Sequence, residues 1–232
     1  MNKKLKILIT SIILVLVMAM LPVNNTMASN SKVICNDNTG IPDKVLYQII
    51  LRKLNKYGFD TFTEKEALKI KKLDASNYNN SKKIRSLKGI EKLKNLTYLD
   101  VSTNQLTSIS ELKKLRKLKL LDVGNNQIKS LKGIEGLKRL KTLKITNNQL
   151  ESLSGVENLM NLTDIDADGN QLRNIRPLKN LVNLEAISVS ANQISSSCLV
   201  FAMMCQLFGS NNMMIANADS EVDNIETKTY IV

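Results

Sequence analysis

Asp164, Asp166 and Asp168, followed by Gly169 and Asn170, form a D-x-D-x-D-G run that imitates the opening of a calcium loop. In such a loop alternate carboxylates converge on a hard cation, and the twelfth position supplies a bidentate glutamate. Here the twelfth position is Ile175, with Arg173 and Arg176 beside it. No calcium loop is expected, and no metal or other cofactor. Other chemistry is scarce. The chain has no histidine, which removes the commonest general base and the commonest transition-metal ligand. Cys35, Cys198 and Cys205 lack a base that would activate a thiolate. The last two, at helical spacing, would stand ~10 Å apart along the axis, beyond disulfide reach. All three read as small apolar filler, and the chain as a non-enzyme whose chemistry is recognition.

The elements that carry those aspartates follow from a long period. Asn104, Asn126, Asn148, Asn170 and Asn192 stand at intervals of twenty-two residues. Leu96, Leu118, Leu140, Leu162 and Leu184 share their phase. So do Leu99, Leu121, Leu143, Ile165 and Ile187, and so do Val101, Val123, Ile145, Ala167 and Val189. A fixed period of this size means stacked units, none of which can bury its apolar face alone. The pattern L-x-x-L-x-L-x-x-N-x-L is that of a leucine-rich repeat. The fold class expected is an α/β solenoid, with a curved parallel sheet on the concave side and short helical turns on the convex side. About six strands are expected, centred on pairs such as Leu99 and Val101. Between strands, Ile109, Leu112 and Leu115 recur as Leu131, Ile134 and Leu137, a spacing of three that suits a tight helical turn. The asparagine column reads as scaffolding, since a buried amide satisfies backbone groups in the turn after each strand.

Strand alternation turns the residues between the apolar columns outward. One ladder reads Tyr98, Leu120, Thr142, Asp164, Ala186 and the next Asp100, Asp122, Lys144, Asp166, Ser188. A third reads Ser102, Gly124, Thr146, Asp168, Ser190. Five aspartates thus face one lysine, in a chain of formal charge +12. Like charges stacked across strands cost stability, so a partner supplying cations would relieve them. The contact residues expected on the concave face are Tyr98, Asp100, Leu120, Asp122, Lys144, Asp164, Asp166 and Asp168. As exposed strand positions, the aspartates are expected to cost ~0.5 kcal/mol or less each on replacement by serine. A basic column, Lys94, Arg116 and Lys138, lies just before the strands. It offers an alternative reading, binding of a cell-envelope or other polyanion such as an anionic wall polymer. The acidic face argues against nucleic acid.

The ends differ in composition. Residues 1–28 carry Lys3, Lys4 and Lys6, then an apolar run of fifteen from Ile7 to Leu21, then small and polar residues up to Ala28. That order describes a secretory signal peptide, and the run is shorter than the ~20 residues of a spanning helix. Its removal would take the formal charge from +12 to +9. A secreted or extracellular chain, free or associated with a cell surface, is expected, with no stable membrane span. Residues 29–72 are expected to form a polar lead-in (Ser29 to Gly40) and a helical cap. Pro42-Asp43 opens a helix for which Gly58 suits the stop, and Thr63 with Glu66 has capping-box spacing. Repeats are expected over 73–196, beginning irregularly with Leu73, Ala75, Ile84, Leu87 and Ile90. Residues 197–232 read as a C-terminal cap, with an apolar helix over 198–208, or as a loosely ordered tail.

The repeats and the cap together resemble the internalin family of Gram-positive surface proteins. The cap residues that carry this are Ile41-Pro42-Asp43, Thr63-Glu64-Lys65-Glu66-Ala67-Leu68, Leu73-Asp74-Ala75-Ser76 and Leu87-Lys88-Gly89-Ile90-Glu91. The likeness covers residues 41 to 194. It implies an extracellular repeat domain that binds another macromolecule, often a protein on a host or neighbouring cell. Family members usually continue into an immunoglobulin-like domain, and the thirty-eight residues after Ile194 are too few for such a sandwich of ~100 residues.

Overall fold

A computed structural model describes residues 31–77, 82–195 and, as backbone alone, 214–216. The leader read at 1–28 and the capping helix read at 198–208 lie outside the described residues, as do Cys198 and Cys205.

The chain enters through a strand that the polar composition of the lead-in hides. β1 (Val33–Ile34) pairs antiparallel with β2 (Phe62–Thr63), and Ile34 is buried beside Phe62. Helix α1 (Lys44–Lys53) begins at Asp43, whose Oδ1 accepts from the amides of Val45 and Leu46, both at 3.0 Å. The second oxygen of Asp43 accepts from the amides of Arg85 at 2.8 Å and Ser86 at 3.2 Å. One carboxylate therefore caps the helix and fastens it to the first coil. α1 buries Leu46, Tyr47, Ile50 and Leu51. It ends at Leu54, followed by left-handed Asn55 at φ 56°, so Asn55 takes the stop expected of Gly58. Asparagine tolerates that region better than most residues. A single turn, α2 (Glu64–Ala67), carries the expected capping box: Glu66 donates its amide to Thr63 Oγ1 at 3.2 Å, and Thr63 donates its amide to Glu66 Oε2 at 2.8 Å. Lys56 reaches Glu66 at 2.8 Å, the one ion pair among the described residues. These contacts hold the Glu66 carboxyl at about 2, with the Lys56 bond first among the causes.

The sheet is parallel throughout. β3 (Lys72–Asp74), β4 (Tyr98–Asp100), β5 (Leu120–Asp122), β6 (Thr142–Lys144), β7 (Asp164–Asp166) and β8 (Ala186–Ser188) pair in sequence order. A seventh strand, β9 (Met214–Ala216), pairs with β8 beyond the six that the period marks. It escapes the sequence because it follows β8 by twenty-eight residues and breaks the repeat. The central residues Leu73, Leu99, Leu121 and Leu143 are fully buried, and Ile165 and Ile187 nearly so. Burying each such side chain contributes roughly 1.5–3 kcal/mol. The return arcs hold short 3₁₀ turns at Ile90–Lys92, Ser110–Lys114 and Arg176–Leu178. The intervening arcs keep the same spacing of three, with Leu137 donating its amide to Ile134 and Leu140 to Leu137, both at 2.8 Å. One hydrophobic core runs from Ile34 in the cap to Val189.

The asparagine column closes each coil on its predecessor. Asn126 Nδ2 lies 3.1, 3.0 and 3.1 Å from the carbonyls of Val101, Val123 and Gly124, and its Oδ1 accepts from the Leu106 amide at 2.9 Å. Asn104, Asn148, Asn170 and Asn192 repeat this pattern. The residue just before each asparagine is left-handed: Thr103 at φ 58°, Asn125 at 53°, Asn147 at 49°, Gly169 at 64° and Ala191 at 51°. Asparagine and glycine suit that region, whereas threonine does not. The Thr103 hydroxyl is also buried with no hydrogen-bond partner. Thr103→Asn should therefore raise stability by about 1 kcal/mol, measured as a higher urea midpoint. The new side chain would continue the Asn147 Nδ2 to Asn125 Oδ1 ladder, which spans 3.0 Å. A lowered midpoint would mean that the threonine methyl matters more than the strain.

Candidate binding face

Each strand from β3 to β8 is three residues long, with its middle side chain in the core and its two flanking side chains turned the other way. Register then fixes two rows on the outer face of the sheet. The first runs Lys72, Tyr98, Leu120, Thr142, Asp164, Ala186, and the second Asp74, Asp100, Asp122, Lys144, Asp166, Ser188. Tyr98, Asp100, Leu120, Asp122, Asp164 and Asp166 are half-buried and Lys144 is exposed. Asp74 belongs to the row and is absent from the ladders read in the sequence. Its signal was present, since Leu73-Asp74-Ala75 has the phase of Leu99-Asp100-Val101, but the irregular first coil broke the count.

The second row carries four carboxylates and one ammonium, and the carboxylates also have work inside the fold. Asp74 Oδ1 accepts from the Ser76 amide at 3.0 Å, Asp100 Oδ1 from Ser102 at 2.9 Å and Asp122 Oδ1 from Gly124 at 2.9 Å. Each side chain thus satisfies the amide two residues on, where the strand ends and the coil turns. Replacement by serine then costs about 1 kcal/mol rather than half that, because a charge-assisted bond is lost. Burial pushes the Asp122 carboxyl up from its ordinary value; the Asp100 and Asp166 charges add to this, while the Gly124 amide and Lys144 oppose it. The Tyr98 phenol is likewise raised, by burial first and then by Asp100, Asp74 and Asp122.

The third ladder lies just past the strands and is uneven: Thr146, Asp168 and Ser190 are half-buried, like Asp100, Asp122 and Asp166 of the second row, but the first two positions are not. Ser102 is 1 % exposed and Gly124 is buried, each two residues past the strand ends at Asp100 and Asp122. Asp168 lies at the same place in its coil. Its Oδ1 accepts from Ser188 Oγ at 2.6 Å and from the Ser190 amide at 2.7 Å, so it ties one coil to the next. Within the D-x-D-x-D-G run Asp164 and Asp166 lie on the sheet face with Ile165 and Ala167 in the core, and Asp168, half-buried just past the strand, is bonded to Ser188 of the second row and to the Ser190 amide.

The basic column lies off the sheet face. Lys94, Arg116 and Lys138 are exposed, and Lys138 Nζ donates to the Asn158 carbonyl at 3.1 Å. Cys35 is half-exposed rather than filler in a core, and its carbonyl accepts from the Ile41 amide at 3.0 Å.

A model of paired leucine-rich repeats matches residues 116–158, and a single leucine-rich-repeat model matches 95–115. No curated protein matches the chain. Among solved structures, an internalin from Listeria monocytogenes is similar at 25% identity and a TM-score of 0.59, over 85% of this chain and 62% of that one. A leucine-rich-repeat protein of Leptospira interrogans is similar at 26% identity and a TM-score of 0.59, over 65% of this chain and 38% of that one. The chain therefore spans less than two thirds of either protein's length. Among the described residues no helix is long and apolar enough to cross a membrane. Twenty-two-residue coils, a parallel sheet in unbroken order and the helical cap in front of it agree with these likenesses: the chain carries leucine-rich repeats and is similar in fold to an internalin.

Proposed function

We propose that this chain is a secreted recognition protein that binds a protein partner, on a host or bacterial surface, through the outer face of its sheet. One observation carries the reading: Asp74, Asp100, Asp122 and Asp166 stand in register in one row, flanked by Tyr98 and Leu120. Neighbouring strands set those carboxylates about 4.8 Å apart, or twice that across Lys144. A basic segment of the partner, laid across the strands, would meet a negative charge at nearly every step. Tyr98 and Leu120 give an aromatic and an aliphatic anchor beside it, the kind of residue on which binding energy concentrates. Secretion rests on the leader composition, and surface recognition on the internalin likeness. Binding rather than catalysis fits a chain with no histidine and a face of short regular strands.

The test uses asparagine, which keeps the Oδ1 acceptor for the amide two residues on and removes the charge. Asp100→Asn, Asp122→Asn and Asp166→Asn together should weaken binding to a partner captured from surface extracts by about tenfold or more at low salt, mainly through the association rate. The melting temperature should hardly move. Affinity should also fall as pH drops through the raised value of Asp122, where that carboxylate takes up its proton. Full affinity in the triple variant would end the sheet-face reading.

A further inference from the structure

We infer a second binding surface, for a linear polyanion, on the flank formed by the coils that begin at Arg116 and Lys138. These coils read Arg116-Lys117-Leu118-Lys119 and Lys138-Arg139-Leu140-Lys141. Leu118 and Leu140 are fully buried, which turns the six cations around them outward, and all six are exposed. The two coils are adjacent: Lys119 donates its amide to the Thr97 carbonyl at 2.8 Å, and Lys141 donates its amide to the Lys119 carbonyl at 2.8 Å. Equivalent cations thus lie about 4.8 Å apart between coils, three to a coil.

Neutral acceptors position two of the ammonium groups without cancelling their charge. Lys117 Nζ donates to Asn95 Oδ1 at 2.7 Å, and Lys138 Nζ to the Asn158 carbonyl. The nearby acids Glu135 and Glu157 turn back on their own arcs, where they accept from the amides of Gly133 at 2.8 Å and Gly155 at 2.7 Å. The patch also has an end. In the next coil the equivalent positions are Met160, Asn161 and Thr163, and in the one after Val182, Asn183 and Glu185. The excess is densest in these two coils: the coil before them offers Lys94, Asn95 and Thr97 at the same positions, and the coils after them offer no cation.

The occupant that fits is a flexible polymer carrying closely spaced sulfate or phosphate groups, several of which the two rows would neutralise at once. Nucleic acid fits less well, because bases need aromatic platforms and the chain has no aromatic residue from 99 to 195. A bilayer fits less well too, because the exposed apolar side chains of the first column, Met160 and Val182, lie beyond the cations rather than among them.

The experiment measures binding of the purified chain to labelled heparin, to inorganic polyphosphate and to vesicles rich in phosphatidylglycerol. For at least one polymer, log affinity should fall against log salt with a slope of about −3 or steeper. Changing Arg116, Lys119, Arg139 and Lys141 to serine should weaken that polymer by about tenfold or more at low salt. A control with Lys44, Lys53, Lys88 and Arg173 changed to serine, all exposed and off these columns, has the same net charge, and should stay within about threefold of the parent. The preferred polymer tells sulfate from phosphate sources. Equal losses in both variants would reduce the effect to net charge and overturn the proposal. So would vesicles binding more tightly than either polymer, or an unchanged flank variant. The sheet-face triple asparagine variant should bind the polymer normally, so the two surfaces fail or stand separately.

Discussion

Asn126→Ala should destabilise the chain by about 2–4 kcal/mol, while Gln127→Ala, one residue on, should cost about 0.5 kcal/mol or less. The two side chains share a turn and differ in direction. Gln127 is exposed, and the bond it makes from its backbone amide to the Leu106 carbonyl, 2.9 Å, survives the change. Asn126 is 8 % exposed. Its truncation leaves the Leu106 amide with no acceptor and takes a donor from three carbonyls in two coils. The carbonyls keep other donors in Asn104, Asn148 and the Thr103 amide, but water cannot enter a closed aliphatic stack cheaply, so the orphaned Leu106 amide bears its desolvation cost on top of the lost bonds. Urea unfolding of both variants gives the comparison. Asn126→Asp separates the roles of the amide, since it keeps Oδ1 for Leu106 but sets a charge against the carbonyls. It should be at least as damaging as alanine. A tolerated aspartate would mean that the donated bonds contribute little.

The same column explains why so much of the fold is legible in the sequence. A solenoid repeats its environment, so each apolar position is stated several times over and one irregular residue does not hide the pattern. The core columns, the outward direction of Tyr98, Asp100, Leu120, Asp122, Lys144, Asp164 and Asp166, and the box between Thr63 and Glu66 all follow from spacing. What fails to show is what happens once. β9 follows a connection of its own length, β1 lies in a polar segment, and Asp74 sits in a coil with inserted residues. Asp168 lies just past its strand, half-buried and bonded to Ser188 of the outer row. Alternation predicts an outward side chain only while the strand lasts, and the strands stop at Asp100, Asp122 and Asp166. The hydrogen bonds from Asp100 and Asp122 to the amides two residues on are invisible for the same cause, because they belong to the turn. They matter for function: a row of aspartates that closes turns would persist without a partner, so only a charge change that preserves those bonds tests the face.

Gly89→Ala should cost about 3 kcal/mol or more, and Gly58→Ala about 1 kcal/mol. Both glycines have positive φ, 90° and 62°, so both substitutions strain the backbone. They differ in what a methyl group meets. Nothing lies within 4 Å of a Cβ built at Gly58, whereas one at Gly89 would stand 2.2 Å from the Gly40 carbonyl oxygen and 2.7 Å from Ile41 Cγ1. Gly40 and Ile41 belong to the cap and Gly89 to the first coil, so the clash falls where Asp43 fastens α1 to Arg85 and Ser86. Backbone cannot swing aside as a long side chain can, and relief requires the cap to move away. Unfolding of Gly89→Ala should then show an early loss of α1, seen as faster amide exchange at Leu46 and Tyr47 with the coils beyond Leu121 still protected. Equal losses at the two glycines would show that φ alone sets the cost and that the close approach of cap and coil is soft.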